Sequence, residues 1–195
     1  MRRPAQGQAC GIGHERAASV PRQPGLTPRR PEESASRGGP GSRGAGRARL
    51  SANRVYLDTA IRVKLLVREP DSDFYAALAD GRPAWSSHLV LVECFSALLR
   101  KERERAIDRV HRRRAWRQVA ADVTARRLSL VPVTASLVER ACAILDVCHP
   151  GVALRSLDAL HLASAERCQS WPLCSNDARI RAAATQLGLP LAPVP

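Results

Sequence analysis

Four acidic residues in this chain have unusually apolar surroundings. Each lies within or directly after a run of apolar and small residues: Asp58, Glu93, Asp158 and Asp177. Burying an ionised carboxylate is costly unless a cation, a metal ion or several hydrogen-bond donors compensate its charge. Acids in such places are therefore candidates for one shared metal site.

The chemistry of such a site follows from its ligands. Oxygen ligands without a His or Cys partner suit Mg²⁺ or Mn²⁺, and convergent carboxylates repel one another unless a cation lies between them. A bound metal ion also lowers the pKa of its water and neutralises charge on a phosphoryl oxygen. Phosphodiester hydrolysis is the natural use of this combination.

Each acid also has an alternative interpretation when it is taken alone. Asp58 could cap the helix that follows it, and Asp158 and Asp177 could complement the dipole of a helix in its first turn. Glu93 is different, because apolar neighbours flank it on both sides and the predicted helix begins a full turn earlier, at His88. The shared site explains all four acids together.

The elements that must position these acids alternate along the chain. Apolar runs predict strands at 54–57, 84–86, 129–133 and 172–174, and a short edge strand at 189–191. Helical patterns lie between them, at 60–67, 71–80, 88–101, 103–127, 134–148, 156–168 and 176–187. We expect Ser87, Thr134, Ser156, and either Ser175 or Asn176 to cap helices.

Alternating strands and helices predict an α/β fold, in which helices cover both faces of a mainly parallel sheet. In open sheets of this kind, ligands bind beyond the carboxyl ends of the strands. Asp58 ends the first predicted strand and Asp177 follows the fourth, so both belong to that edge.

The composition divides the chain in two. The 195 residues suffice for one domain, and 45% of them are hydrophobic. Much of the net charge of +13 comes from residues 1–54, which hold 11 Arg and three Glu. We interpret residues 1–52 as a disordered extension rich in Arg, Gly and Pro, and residues 53–195 as the folded domain. The extension could contact nucleic acid, but the preferred interpretation is an unstructured extension without that role, or upstream sequence included by a misassigned start.

Cysteines and hydropathy indicate the compartment. The six cysteines form neither Cys-x-x-Cys pairs nor the Cys/His spacing of a zinc site, so we expect reduced thiols, with Cys94 as a core residue. No apolar run approaches the roughly 18 residues of a membrane span, and no signal-peptide core follows Arg2-Arg3. We expect a cytoplasmic protein.

Four motifs resemble a PIN domain, and most of all the VapC toxins of type II toxin-antitoxin modules. They are Val55-Tyr56-Leu57-Asp58-Thr59-Ala60 with Glu69-Pro70, then Ser86-Ser87 with Val92-Glu93, then Leu157-Asp158-Ala159-Leu160-His161-Leu162-Ala163, then Ser175-Asn176-Asp177. The similarity extends from about Asn53 to Val194. The third motif is the most specific.

The resemblance implies a PIN-like three-layer sandwich and an endoribonuclease that depends on Mg²⁺ or Mn²⁺. Acids matching Asp58, Glu93, Asp158 and Asp177 would hold the metal while an activated water attacks the RNA phosphate, and Thr59 and Ser175 would support them. It also implies a homodimer and a VapB-like antitoxin that blocks the groove. One departure is visible, since many relatives carry Ser at the position of Ala60.

Other features have open interpretations. Arginines at three- and four-residue steps predict a basic helical stripe: Arg105, Arg109, Arg112, Arg113 and Arg117. The stripe could bind RNA phosphates, bind an acidic antitoxin tail, or be a solvated face. His161 shares a helix face with Asp158 and could orient that carboxylate or contact RNA, although a packed histidine is the preferred interpretation. We expect Trp116 to pack between helices.

The sequence thus favours a ribonuclease over two alternatives. A PIN fold that binds RNA or an antitoxin without catalysis is the second hypothesis, suggested by Ala60 and the basic stripe. A DNA-binding regulator is the third, and it lacks a recognisable helix-turn-helix.

Overall fold

Four parallel strands form the central sheet of residues 54–195. The computed structural model describes residues 54–195, so the predictions for residues 1–52 and for Cys10 lie outside the described part. The strands are β1 (Val55–Leu57), β2 (Ala84–Ser87), β3 (Leu128–Val131) and β4 (Leu173–Cys174). Their order across the sheet is β3-β2-β1-β4, and each neighbouring pair is parallel.

Seven helices in residues 54–195 connect and cover the strands. They are α1 (Thr59–Lys64), α2 (Ser72–Ala79), α3 (Val90–Arg103), α4 (Arg109–Thr124), α5 (Ala135–Cys148), α6 (Ser156–Cys168) and α7 (Ala178–Gln186). The predicted edge strand is reduced to one parallel bridge between Leu191 and Leu173. None of these helices is long and apolar enough to cross a membrane.

Two hydrophobic cores flank the sheet, as the alternation within β1 shows. Tyr56 packs with residues of α5, α6 and α7 on one face. Val55 and Leu57 point to the other face and pack with residues of α1, α2 and α3. Side chains alternate between the two faces of a strand, so one fully buried strand contributes to both cores. The predicted α/β fold with helices on both faces is confirmed.

The prediction of one long basic helix over 103–127 is wrong. Helix α3 ends at Arg103 and α4 begins at Arg109. Asp108 starts the second helix, because its Oδ1 accepts the backbone N–H of His111 at 2.7 Å. Arg105 lies in the connection with φ of 59°, the left-handed region that ends helices.

Several predicted helix ends also shift, because other residues provide the caps. Thr134 caps α5 as expected, at 3.3 Å from the Leu137 N–H. Ser87 instead belongs to β2, and Ser156 is already helical, after Arg155. Asp177 replaces Ser175 or Asn176 as the cap of α7.

The cysteines and Trp116 lie where the sequence predicts. The five cysteines within residues 54–195 are free, and Cys94 is fully buried. Burial raises the pKa of the Cys94 thiol to about 12, which makes it an inert core group at neutral pH. Trp116 of α4 packs on Phe95 of α3, with ring centroids 4.9 Å apart.

Candidate functional site

Asp58 is the buried centre of the site. It directly follows β1, its N–H donates to the carbonyl of Cys174 at 3.1 Å, and its side chain is 3% exposed. Its Oδ1 accepts the N–H of Ile61 at 2.8 Å, so the capping interpretation is correct. Burial raises the pKa of Asp58, although the Ile61 N–H and the Ser175 hydroxyl partly oppose this effect.

Asp177 faces the same place from the neighbouring strand β4. The two acids follow neighbouring parallel strands, and the negative charge of Asp177 adds to the rise in the pKa of Asp58. Asp177 Oδ1 caps α7 through the N–H groups of Arg179 and Ile180, at 2.7 and 3.4 Å. The buried Ser175 hydroxyl accepts the Asp177 N–H at 3.1 Å. Ser175 therefore supports both acids.

Glu93 is held by a hydroxyl and an imidazole. It lies in the first turn of α3, not in the second as predicted, because the helix begins at Val90. Its Oε2 accepts the Thr59 hydroxyl at 2.5 Å and lies 2.8 Å from Nε2 of His161. Burial acts to raise the pKa of Glu93, but its contact with His161 and the hydrogen bond from Thr59 prevail and lower it.

A buried tyrosine fixes the proton of His161. The Tyr56 hydroxyl lies 2.9 Å from Nδ1 of His161, and both side chains are buried. Oε2 of the Glu93 carboxylate can only accept, so the Nε2 that faces it carries a proton. Burial raises the pKa of Tyr56 well above its usual value, so its hydroxyl stays protonated and can donate a hydrogen bond to Nδ1. We assign the Nε2–H tautomer from this network, and that N–H points to Glu93. The packed interpretation of His161 is correct, and the carboxylate that it orients is Glu93.

An arginine lies between Asp177 and the fourth acid, Asp158. Nη2 of Arg179 lies 3.1 Å from Asp177 Oδ2, and its Nε lies 3.6 Å from Asp158 Oδ2. Asp158 is in the first turn of α6, where its Oδ2 accepts the Arg155 N–H at 3.2 Å. The predicted helix-terminal role of Asp158 is therefore present, together with an ion-pair role.

The donor chemistry of the site suits a divalent cation. Asp58 is a buried carboxylate, and none of the ion pairs in residues 54–195 includes it. A buried carboxylate without a cation is costly, and an all-oxygen set fits Mg²⁺ or Mn²⁺. In the described part of the chain, no three acids, histidines or cysteines already lie close enough to hold an ion together. Metal binding would therefore require side-chain rearrangement.

Two clefts adjoin the acids, and basic residues line both. A cleft of about 320 Å³ contains Thr59, Ala60 and Asn176 together with Lys64 and Lys101. A second one of about 370 Å³ contains Glu93 and Leu157 together with Arg103. Arg100 and Ala97 line both clefts. The positive charge beside the acids thus comes mainly from α3.

The predicted basic stripe lies elsewhere. Arg105 is in the connection between helices, while Arg109, Arg113 and Arg117 are exposed on α4. Arg112 pairs with Glu102. None of these arginines lines either cleft beside the acids.

Sequence reasoning missed three parts of the site. Tyr56 lies two residues before Asp58, which could have indicated a place in the site, but its partner His161 is 105 residues away in the sequence. Arg179 similarly lies two residues after Asp177. Arg100 was not singled out, because the many arginines at 103–117 that follow it give the more obvious basic pattern.

Known proteins resemble this chain over most of residues 54–195. The PIN domain family model matches residues 55–186. Ribonuclease VapC46 from Mycobacterium tuberculosis is 36% identical over 138 residues, which cover 69% of this chain and 93% of that protein.

Two solved structures share the fold. One is VapC20 from Mycobacterium tuberculosis, described as a sarcin-ricin loop cleaving toxin, with a TM-score of 0.53, 23% identity and coverage of 66% of this chain and 94% of its own. The other is VapBC2 from Rickettsia felis, bound to a promoter DNA fragment, with a TM-score of 0.51, 17% identity and coverage of 72% and 98%. The resemblance drawn from the four motifs is confirmed, and the chain belongs to the PIN-domain family, within which it is of the VapC type.

Proposed function

We propose that this protein is a metal-dependent endoribonuclease and the toxin of a type II toxin-antitoxin system. The observation that carries the proposal is the buried Asp58 carboxylate, which has no partner cation within residues 54–195 and follows the strand next to the one that precedes Asp177. The relative VapC46 is named a ribonuclease, which supports the same activity here.

The acids have distinct roles in the proposed reaction. Asp58, Glu93, Asp158 and Asp177 would hold Mg²⁺ or Mn²⁺, which supplies an acidified water and neutralises phosphoryl charge. His161 and Thr59 hold Glu93 Oε2 in place, and Ser175 orients Asp58 and Asp177. These hydrogen bonds limit how far Asp58, Glu93 and Asp177 must move in the rearrangement that metal binding requires.

The substrate would reach the acids along the basic clefts. Arg100 and Arg103 line them and can contact RNA phosphates, which gives sequence-independent affinity that falls with salt. Lys64 and Lys101 already pair with Glu69 of the same cleft and contribute less. The stripe of Arg105, Arg109, Arg113 and Arg117 is further away and suits an outer part of the RNA or an acidic antitoxin segment.

A partner is part of the proposal. The solved neighbour from Rickettsia felis is named VapBC2 and is bound to DNA from its promoter, and by analogy we propose a VapB-like antitoxin for this chain. We also propose a homodimer as the assembly.

Asp58→Asn tests the enzyme proposal. Asn also accepts the Ile61 N–H, so the cap survives and only the charge is removed. We expect the rate of RNA cleavage with Mn²⁺ or Mg²⁺ to fall at least about a hundredfold, which is the usual loss when one group that stabilises charge in the transition state is removed. We also expect calorimetry to show weaker Mn²⁺ binding.

Asp108→Asn is the matched control, because Asp108 caps α4 in the same way on an exposed surface. It should cleave RNA as the wild type does. If the wild type binds neither metal and cleaves no RNA, and its expression leaves translation intact, then the non-catalytic binding module suggested by Ala60 is the correct interpretation.

A further inference from the structure

Arg179 is the one cation in residues 54–195 that pairs with two of the four acids. It reaches Asp177 Oδ2 with Nη2 at 3.1 Å and approaches Asp158 Oδ2 with Nε at 3.6 Å. These carboxylates belong to α6 and to the start of α7, so the guanidinium joins two elements of the site. An arginine in this position partly neutralises the repulsion between the acids.

The guanidinium is poorly satisfied where it lies. The distance of 3.6 Å to Asp158 is too long for a hydrogen bond, and the buried Nε has no hydrogen-bond partner within the described residues. An arginine carries five donors, and a buried donor without a partner is unfavourable. The side chain is also 36% exposed, so it has a route to solvent. Displacing this group therefore costs little.

The neighbouring Arg181 is bound differently. Its Nη1 donates to the carbonyls of Ser175 and Ala192, at 3.1 and 2.9 Å. These bonds tie α7 to the end of β4 and to the C-terminal segment. Arg181 is thus a structural arginine, whereas Arg179 points its charge at the acids.

We propose that Arg179 is a built-in competitor of the metal ion. It neutralises Asp158 and Asp177 while the site lacks a divalent cation, and it must withdraw from them when the cation binds. The inference rests on the proposed function, because it assumes that these acids are metal ligands. Its consequence is that Arg179 lowers the affinity for the metal and stabilises the metal-free protein.

Arg179→Met is the direct test, with Mn²⁺ titrations by calorimetry and thermal unfolding in chelator and in Mn²⁺. We expect the variant to bind Mn²⁺ about fivefold more tightly, the factor that corresponds to about 1 kcal/mol for a partly exposed ion pair. We also expect it to be less stable than the wild type in chelator and to gain more stability from Mn²⁺. Arg179→Lys keeps the charge and should bind Mn²⁺ close to the wild-type affinity.

Arg140→Met is the matched control. Arg140 pairs with Glu166 at 2.6 Å, and Glu166 is eight residues from Asp158, about 12 Å along α6. This variant loses an arginine–carboxylate pair away from the acids and should bind Mn²⁺ like the wild type.

The outcomes separate this inference from the proposed function. If the wild type binds Mn²⁺ and Arg179→Met binds it equally or more weakly, the competitor role is wrong and the metal site stands. Weaker RNA binding by the variant with unchanged Mn²⁺ affinity also overturns the competitor role, because Arg179 would then serve the RNA alone. If neither protein binds Mn²⁺, both proposals fail. If Arg179→Met binds Mn²⁺ and the wild type does not, Arg179 excludes the metal ion from the wild-type site, which supports the competitor role.

Discussion

Two buried tyrosines offer a controlled measurement of the hydrogen bond that fixes His161. Tyr56 and Tyr75 are at most 1% exposed. The Tyr56 hydroxyl donates to Nδ1 of His161, whereas the Tyr75 hydroxyl has no hydrogen-bond partner among residues 54–195. Replacing either tyrosine by phenylalanine removes one oxygen and leaves the ring. The pair of variants therefore compares a satisfied and an unsatisfied hydroxyl in equally buried places.

The expected magnitudes follow from those contacts. Tyr56→Phe leaves Nδ1 of His161 buried without a donor, which should lower the free energy of unfolding by about 1–3 kcal/mol. Tyr75→Phe removes a buried hydroxyl that gains nothing from a partner, so its effect should be within about 0.5 kcal/mol or stabilising. With a urea dependence of about 2 kcal/mol per molar, a loss of 2 kcal/mol moves the midpoint by about 1 M.

The measurement is urea unfolding of both variants and the wild type, with ¹⁵N NMR of the His161 ring. In the wild type we expect a proton on Nε2 and none on Nδ1, and in Tyr56→Phe a mixture of tautomers. RNA cleavage should fall in Tyr56→Phe because Glu93 loses part of its support, and it should persist in Tyr75→Phe. Equal stability of the two variants, or a wild-type proton on Nδ1, would refute the assigned network.

Two further predictions concern the ion cluster beside the cleft and the connection between α3 and α4. Burial acts to raise the pKa of Glu69, but its hydrogen bonds to Lys101 and Lys64 prevail and lower it. The ionised Glu69 therefore stabilises the protein fully above pH about 4.5, and this contribution is lost as the pH falls below that value. Glu69→Gln should therefore lower the free energy of unfolding at pH 7 by about 1–2 kcal/mol, as measured by urea unfolding. It should also weaken the fall in stability below pH about 4.5. A variant with the same pH dependence as the wild type would contradict the role of Glu69. Arg105→Gly should raise the free energy of unfolding by about 0.5–1 kcal/mol in thermal denaturation, because φ of 59° suits glycine; a destabilised variant would show that the Arg105 side chain matters more than its backbone.

The sequence predicts the part of the site that topology determines. A strand that ends in Asp58 and another that ends before Asp177 must bring these residues to one edge once the strands are parallel neighbours, and β1 and β4 are neighbours. Thr59 and Ser175 follow for the same reason, since each lies next to the end of its strand. Local pattern and one rule of topology suffice for these positions.

The rest depends on contacts that no local pattern encodes. The break between α3 and α4 lies in a region whose charges all favour one helix, and a single capping residue, Asp108, decides it. The link from Tyr56 to His161 joins β1 to α6, and the placement of Arg179 depends on how α7 packs against α6. Such contacts come from tertiary packing, which overrides the local signal.

The contacts of Thr59 decide what the alanine at position 60 means for activity. Thr59 donates its hydroxyl to Glu93 Oε2 at 2.5 Å and lies 3.2 Å from Nε2 of His161. Ala60 is exposed and lines the cleft beside Lys64. The hydroxyl that many relatives carry at position 60 would therefore face the cleft, while the one that orients Glu93 is present in this chain. The absence of a hydroxyl at position 60 should therefore change how the cleft contacts RNA and leave the geometry of the acids intact.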